Sequence, residues 1–311
     1  MESEAMDLYE EEAVHEEEEI SIEDLESQYW FKEFDRDFLA KPGGHLLGIG
    51  ITGSGKTQKA YYLVKKLLEY ETIIWFDSGK SYALGKYEEI APLFNFGVPV
   101  NIIVPIGVEM RVENSPVPVT YDETIVGSDI WDKIKPGCIN IISLTRFFLM
   151  PELYGKYCKD IFLDLIQTAM SNKQRLSHLI PMAIFYDEFS DLAPSKNLTV
   201  QTAQFNIAQV ISFNITKLRS FGVRFCAFTQ AYQNIFPAVR LSFNWVLACR
   251  GTYLKYDEPV IRNYNPLHST LEIPQAVLWW PDRSFHGVWR FSLFHSPENI
   301  KITSSGIRTS L

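Results

Sequence analysis

Gly50-Ile51-Thr52-Gly53-Ser54-Gly55-Lys56-Thr57 follows the pattern glycine, any four residues, Gly-Lys-Thr. Glycines at these places let the backbone turn tightly and bring its N–H groups onto an anionic polyphosphate. Lys56 supplies a point charge for the terminal phosphates, and the Thr57 hydroxyl can ligate Mg²⁺. A helix starting at this point turns its positive end toward the same phosphates. The pattern therefore demands a strand before it and a helix after it. Both are present. His45-Leu46-Leu47-Gly48-Ile49 is a short apolar run suited to a buried strand. Ala60, Leu63, Val64, Leu67 and Leu68 recur at helical spacing beyond it. The competing reading, a plain glycine-rich turn, explains neither flank.

The 311 residues, 46% of them hydrophobic, suffice to bury a large core. The net charge of −9 hides an asymmetry. Met1 to Glu26 holds 13 acidic residues and no Lys or Arg, while the rest carries 29 basic against 25 acidic groups. Residues 1–27 are accordingly expected to form a disordered acidic tail, with 28–311 as the folded domain. A solubilising role is the plainer account of that tail. Docking on a basic partner is the sharper one. A mildly basic body permits nucleic-acid binding without demanding it. No apolar run has the length of a membrane-spanning helix, and an acidic start is wrong for a secretory signal. Cys138, Cys158, Cys226 and Cys249 lack paired spacing and read as buried thiols in a reducing compartment.

Along the chain, Tyr29, Trp30, Phe31, Phe34 and Phe38 begin ordered structure, packed on the core or on a neighbouring subunit. Thr72 to Phe76 reads as a second strand ending at Asp77, and Asn101 to Val104 as a third. Val108 to Asp122 is Pro-rich and irregular, and is expected to be an insertion or surface loop. Lys135-Pro136-Gly137 turns into a strand over Cys138 to Leu144. A helix from about Pro151 buries Leu153, Tyr157, Ile161, Leu165 and Ala169, with Phe162 and Ile166 widening the stripe. Strands alternating with helices give an α/β fold with a mostly parallel sheet covered on both faces.

Pro181 to Tyr186 is an apolar run ending in Asp187-Glu188. In a parallel sheet its last residues reach the carboxyl edge, where the phosphate loop opens. Asp187 is then placed to hold Mg²⁺ and Glu188 to polarise an attacking water. A helix-starting acidic pair is the bland alternative. A helix from about Val200 to Ser220 stops at Gly222, and Val223 to Thr229 is a strand with Gln230 at its tip. A neutral amide there can hydrogen-bond a γ-phosphate or the lytic water, or be simply an exposed polar residue. Asn244 to Tyr253 reads as another strand. Pro259 to Pro274 reads as loop-rich. Val277 to Trp280 and Val288 to Phe294 suggest paired strands whose aromatics belong to packing rather than base stacking. Lys301 and Arg308 are assigned to a mobile tail.

The phosphate loop, the Asp187-Glu188 strand, Leu218-Arg219-Ser220-Phe221-Gly222-Val223 and Phe228-Thr229-Gln230 together resemble the FtsK/HerA class of P-loop motor ATPases. The likeness runs over roughly Lys41 to Gly251, and the Pro136-Gly137 turn with the following strand resembles the secretion and HerA branches. It implies a RecA-like core, a hexameric ring with ATP between subunits, and double-stranded DNA in the pore. It also implies an arginine acting in trans. Arg219 matches that position in the coupling-protein branch, Arg240, Arg250 and Arg262 are alternatives, and a surface ion pair is the competing account of each. No membrane anchor, N-terminal barrel or closing winged helix is evident, so the membrane-bound division pump is not the expected match. A viral or plasmid origin and a cytoplasmic location, a host's if viral, follow by analogy.

The expected function is thus an Mg²⁺-dependent ATPase that translocates DNA in packaging or transfer. Lys56, Thr57 and Asp187 would hold MgATP, Glu188 would activate water and Gln230 would sense the γ-phosphate. Asp77 to Lys86, with Lys80 and Lys86, is a candidate pore-loop region. Protein export or filamentous virion assembly on the same core is one alternative. A nucleotide-gated assembly factor without turnover is the other.

Overall fold

The structure, a computed structural model, describes residues 31–78, 87, 89–124, 129–144, 150–176, 180–195, 202–255 and 258–306. The acidic tail, Tyr29, Trp30, Arg308 and most of the Asp77–Lys86 region lie outside them. The strands before the second helix are β1 (Leu46–Ile49), β2 (Thr72–Asp77), β3 (Val100–Pro105), β4 (Val108–Glu113), β5 (Val119–Thr124) and β6 (Ile139–Ser143). Then follow β7 (Met182–Tyr186), β8 (Val223–Thr229), β9 (Trp245–Cys249), β10 (Gln275–Trp279), β11 (Trp289–Arg290) and β12 (Lys301–Gly306). Three helices matter most: α1 (Lys56–Leu67), α2 (Pro151–Leu176) and α3 (Thr202–Leu218).

Among the described residues ten strands form one sheet in the order β11-β10-β9-β1-β8-β7-β2-β6-β3-β5. From β9 to β5 every pairing is parallel, and β10 and β11 close the other end antiparallel. This is a RecA-like α/β architecture. Parallel strands covered on both faces are apolar at nearly every position, and parity alone sorts their side chains. Leu47, Ile74, Phe76, Ile184 and Phe225 face α2 and α3. Leu46, Ile73, Trp75, Phe185 and Phe228 face α1 and the lead-in residues Phe34 and Phe38. One strand, β8, separates the phosphate-loop strand β1 from β7. Their ends thus lie two strand spacings apart, roughly 10 Å, which a bound triphosphate and cation can bridge.

Several expectations need correcting. The Pro-rich stretch 108–122 is not an irregular insertion. Val108, Met110 and Val112 alternate inward in β4, and β5 extends the main sheet beside β3, while Pro116 and Pro118 fall in the connection between them. Lys301–Gly306 is not a loose tail but pairs antiparallel with β4 over six residues. Leu153 is 48% exposed, and Tyr154 takes its place on the buried side of α2. The stretch from Pro259 contains two short helices, Pro259–Arg262 and Asn265–Thr270. Phe34 and Phe38 pack on Trp245, and Phe34 also on Trp280 and Trp289, so the lead-in belongs to this chain's own core. Trp279, Trp280, Trp289 and Phe291 are buried, as the packing account requires. Among the described residues no helix is long and apolar enough to cross a membrane.

At the amino edge of the sheet His45 is buried between Ile215 O, 2.7 Å from its Nε2, and the Phe225 N–H, 3.1 Å from its Nδ1. Nδ1 accepts and Nε2 donates, which specifies a neutral ring. Burial holds its pKa down at about 4, against an ordinary 6.5. The unfolded chain therefore binds a proton here before the folded one does. The stabilisation is complete above pH 6.5 and drains away between 6.5 and 4. A loss of about 3 kcal/mol over that interval is expected from this group. Urea midpoints at pH 7 and 4.5 for the parent and His45→Asn measure it. A variant with the parent's pH slope contradicts the assignment.

Candidate active site

The phosphate loop leaves β1 threaded between two strand ends. The Gly50 N–H donates to Thr229 O at 3.2 Å and the Ile51 N–H to Arg250 O at 3.2 Å, which pins the loop to β8 and β9. Thr252 Oγ1 donates to Ile49 O at 2.7 Å and holds the stretch after β9 against the end of β1. Gly53 and Gly55 have φ of +75° and +76°, a region that costs an L side chain about 1–2 kcal/mol. Helix α1 begins at Lys56, directly after the left-handed Gly55, so its first-turn N–H groups face outward without intrahelical acceptors. Lys56 is buried and folds over the loop, donating to Gly50 O at 2.9 Å and Ile51 O at 3.1 Å.

Two strands away, β7 delivers the acidic pair. Thr57 Oγ1 donates to Asp187 Oδ2 at 3.2 Å, joining the end of the loop to the end of β7. Asp187 Oδ1 accepts the Glu188 N–H at 3.0 Å. Glu188 itself sits at φ 54°, ψ 53°, a left-handed conformation for a residue with a side chain. Such backbone costs on the order of 1–3 kcal/mol and is tolerated where the surroundings fix it. Here the turn is held by the Asp191 N–H donating to Glu188 O at 2.8 Å. Gln230, exposed at the end of β8, donates from Nε2 to Glu188 Oε1 at 2.8 Å. Lys56, Thr57, Asp187, Glu188 and Gln230 thus share one edge of the sheet.

A third carboxylate stands beside this group. Phe76 of β2 pairs with Tyr186 of β7, so Asp77 and Asp187 follow side by side. Asp77 is buried and accepts from Ser143 Oγ at 3.4 Å.

The donor set fits a triphosphate with its Mg²⁺. Ser54 Oγ is buried without a hydrogen-bond partner, inside the loop. Among the described residues no three His, Cys, Asp or Glu converge as a metal cage. Mg²⁺ commonly takes one or two protein oxygens and completes its shell with phosphate and water, and the Thr57–Asp187 pair offers that.

Arg219 is not at this edge. It is exposed in the short turn Arg219–Phe221 that precedes β8, whose seven residues span about 20 Å of sheet. It cannot reach Glu188 of its own chain. Arg240 lies over the Tyr232 ring at 4.9 Å, and Arg262 donates to Lys255 O at 3.0 Å. Arg250 is exposed directly beyond β9, on the loop's other flank. Sequence reasoning gave no role to Gln58, Lys59 or Thr252. Their partners, Phe294, Ile273 and Ile49, are distant in sequence, and spacing carries no signal for such contacts.

No family model and no curated protein matches the chain. Solved structures do. The genome packaging NTPase B204 of Sulfolobus turreted icosahedral virus 2, with AMPPCP, is 13% identical, with 81% of this chain and 99% of that one aligned at a TM-score of 0.48. The pCW3 conjugation coupling protein TcpA, with ATPγS, is 14% identical over 83% of this chain and 62% of its own, at 0.41. Thermomonospora curvata EccC (ATPases 2 and 3), with a signal sequence peptide, is 13% identical over 83% and 39%, at 0.39. Likenesses of this size leave the chemistry to be read from the chain's own residues.

Proposed function

We propose that this chain is an ATP-hydrolysing motor acting on double-stranded DNA. The Thr57–Asp187 hydrogen bond carries the reading, because it brings the phosphate loop and the acidic pair into one site. The backbone N–H groups from Gly53 to Thr57 cradle the phosphates, and Lys56 exchanges its two loop carbonyls for phosphate oxygens. Bound Mg²⁺, held by Thr57 and Asp187, would neutralise charge on the transferred phosphoryl group. Glu188 orients the attacking water and takes its proton. Gln230, one hydrogen bond from Glu188, reports whether the γ-phosphate is present. Arg219 is assigned to the neighbouring subunit's site in a ring, where it offsets transition-state charge. The motif order shared with the FtsK/HerA class supports the DNA motor over a plain nucleotide switch.

The test is ATP turnover with and without duplex DNA at two salt concentrations. Stimulation that weakens steeply with salt is expected for a grip on the phosphate backbone. Turnover indifferent to DNA favours a protein cargo instead, and no turnover at all returns the chain to a binding role. The trans arginine has its own test. Arg219→Ala and Glu188→Gln, each inactive alone, are expected to recover activity when mixed, since some interfaces then pair an intact Glu188 with an intact Arg219. A mixture as inactive as its parts removes Arg219 from that role.

A further inference from the structure

Lys59 lies one helical turn past the phosphate loop and is fully buried, although no carboxylate pairs with it among its described contacts. Its Nζ donates to two carbonyls: Ser54 O at 3.3 Å and Ile273 O, the latter in a close contact. Burial lowers its pKa from the ordinary lysine value. A long cationic side chain is seldom kept fully buried without a partner, so two carbonyls must offset its desolvation. One of them belongs to the loop. In a trans peptide C=O and N–H point in opposite directions. The Ser54–Gly55 peptide, with its carbonyl drawn back toward Lys59, must therefore turn the Gly55 N–H outward, into the cradle. The other carbonyl belongs to the crossing that leads into β10. Ile273 closes on the loop from behind, so that a Cβ added at Gly55 would meet its side chain and carbonyl at 2.9 Å.

We propose that Lys59 is a positioning residue for phosphate binding: it fixes the Ser54–Gly55 peptide so that the Gly55 N–H faces the triphosphate, with Ile273 O as its second anchor. The role rests on the nucleotide-binding function proposed above. It differs from that of Lys56, which contacts phosphate directly, since Lys59 acts only through the backbone. A free peptide would sample the flipped orientation, which presents an oxygen to the phosphates.

Gln58 provides the control. Its side chain makes a reciprocal pair with the Phe294 backbone, Nε2 donating to O at 3.1 Å and Oε1 accepting the N–H at 2.6 Å. It ties α1 to the C-terminal segment without touching the Ser54 carbonyl. The experiment compares the parent, Lys59→Met, Lys59→Arg and Gln58→Ala by MgATP titration, steady-state turnover and thermal unfolding. Lys59→Met fills the same volume without donors. It is expected to weaken MgATP binding and raise KM about tenfold, with kcat within about threefold of the parent. Lys59→Arg should recover part of the affinity, and Gln58→Ala should leave KM unchanged. If Lys59→Met binds MgATP like the parent, or if Gln58→Ala raises KM equally, the peptide-orienting role is wrong. A Lys59→Met that loses kcat and thermal stability together at an unchanged KM is also against it. A parent that binds no MgATP overturns the nucleotide-binding function first, and this role with it.

Discussion

Glu188→Gln is expected to lower kcat for ATP by about 10²–10⁴-fold while leaving MgATP binding near that of the parent. The substitution is almost isosteric. It keeps an oxygen to accept from Gln230 Nε2, now 2.8 Å from Glu188 Oε1, and it leaves the backbone at φ 54° undisturbed. What it removes is the proton acceptor. Asp187, Thr57 and Lys56 keep their mutual arrangement, so the nucleotide cradle survives. Rapid-quench phosphate release and equilibrium titration separate the two effects. Unchanged turnover in the variant would falsify the base assignment. A loss of binding equal to the loss of turnover would mean that Glu188 holds the site together rather than acting on water.

The second large effect is structural. Arg224, at the start of β8, is fully buried and doubly bonded to the buried Glu71, with Nη2 to Oε1 at 2.6 Å and Nε to Oε1 at 3.0 Å. The same Nη2 donates to Phe38 O and Lys41 O, each at 2.8 Å, and the guanidinium lies 4.1 Å from the centroid of the Phe38 ring. One side chain therefore fastens the lead-in segment, the end of the α1–β2 connection and β8. Arg224→Met leaves the Glu71 carboxylate buried without its partner, and a loss of roughly 3–5 kcal/mol is expected. The double variant Arg224→Met/Glu71→Leu should regain a substantial part, because removing both charges relieves the desolvation. Urea midpoints measure both. A single variant within 1 kcal/mol of the parent, on the scale of a surface pair, contradicts the account of a buried tie.

Much of this arrangement is legible in the sequence because its signals are local. The loop pattern with its flanking strand and helix, the apolar run ending in Asp187-Glu188, and Gly222 at a helix stop each occupy a few consecutive residues. Gly222 sits at φ +74°, as a left-handed stop requires. The placement of Lys56, Thr57 and Asp187 at one edge follows from parallel topology, and Gln230 joins them for the same reason. What escaped notice is non-local. β4 owes its order to β12, some 190 residues onward, and Pro116 and Pro118 made the stretch look irregular. The β12 segment, Ser-rich and terminal, offers no apolar run of its own. Leu153 fits the helical stripe by spacing, but α2 is rotated so that Tyr154 faces the sheet. Lys59 shows the limit most plainly. A lysine after a phosphate loop reads as solvated until Ile273, more than 200 residues away, closes over it.

The most direct measurement is phosphate release from MgATP by the purified parent chain beside Lys56→Ala. Saturable hydrolysis by the parent that vanishes in the variant is the expected result, since Lys56 is the only cation that the described residues place over the loop carbonyls Gly50 O and Ile51 O. Hydrolysis that persists undiminished in Lys56→Ala, or a parent that releases no phosphate under any condition with or without duplex DNA, would contradict it.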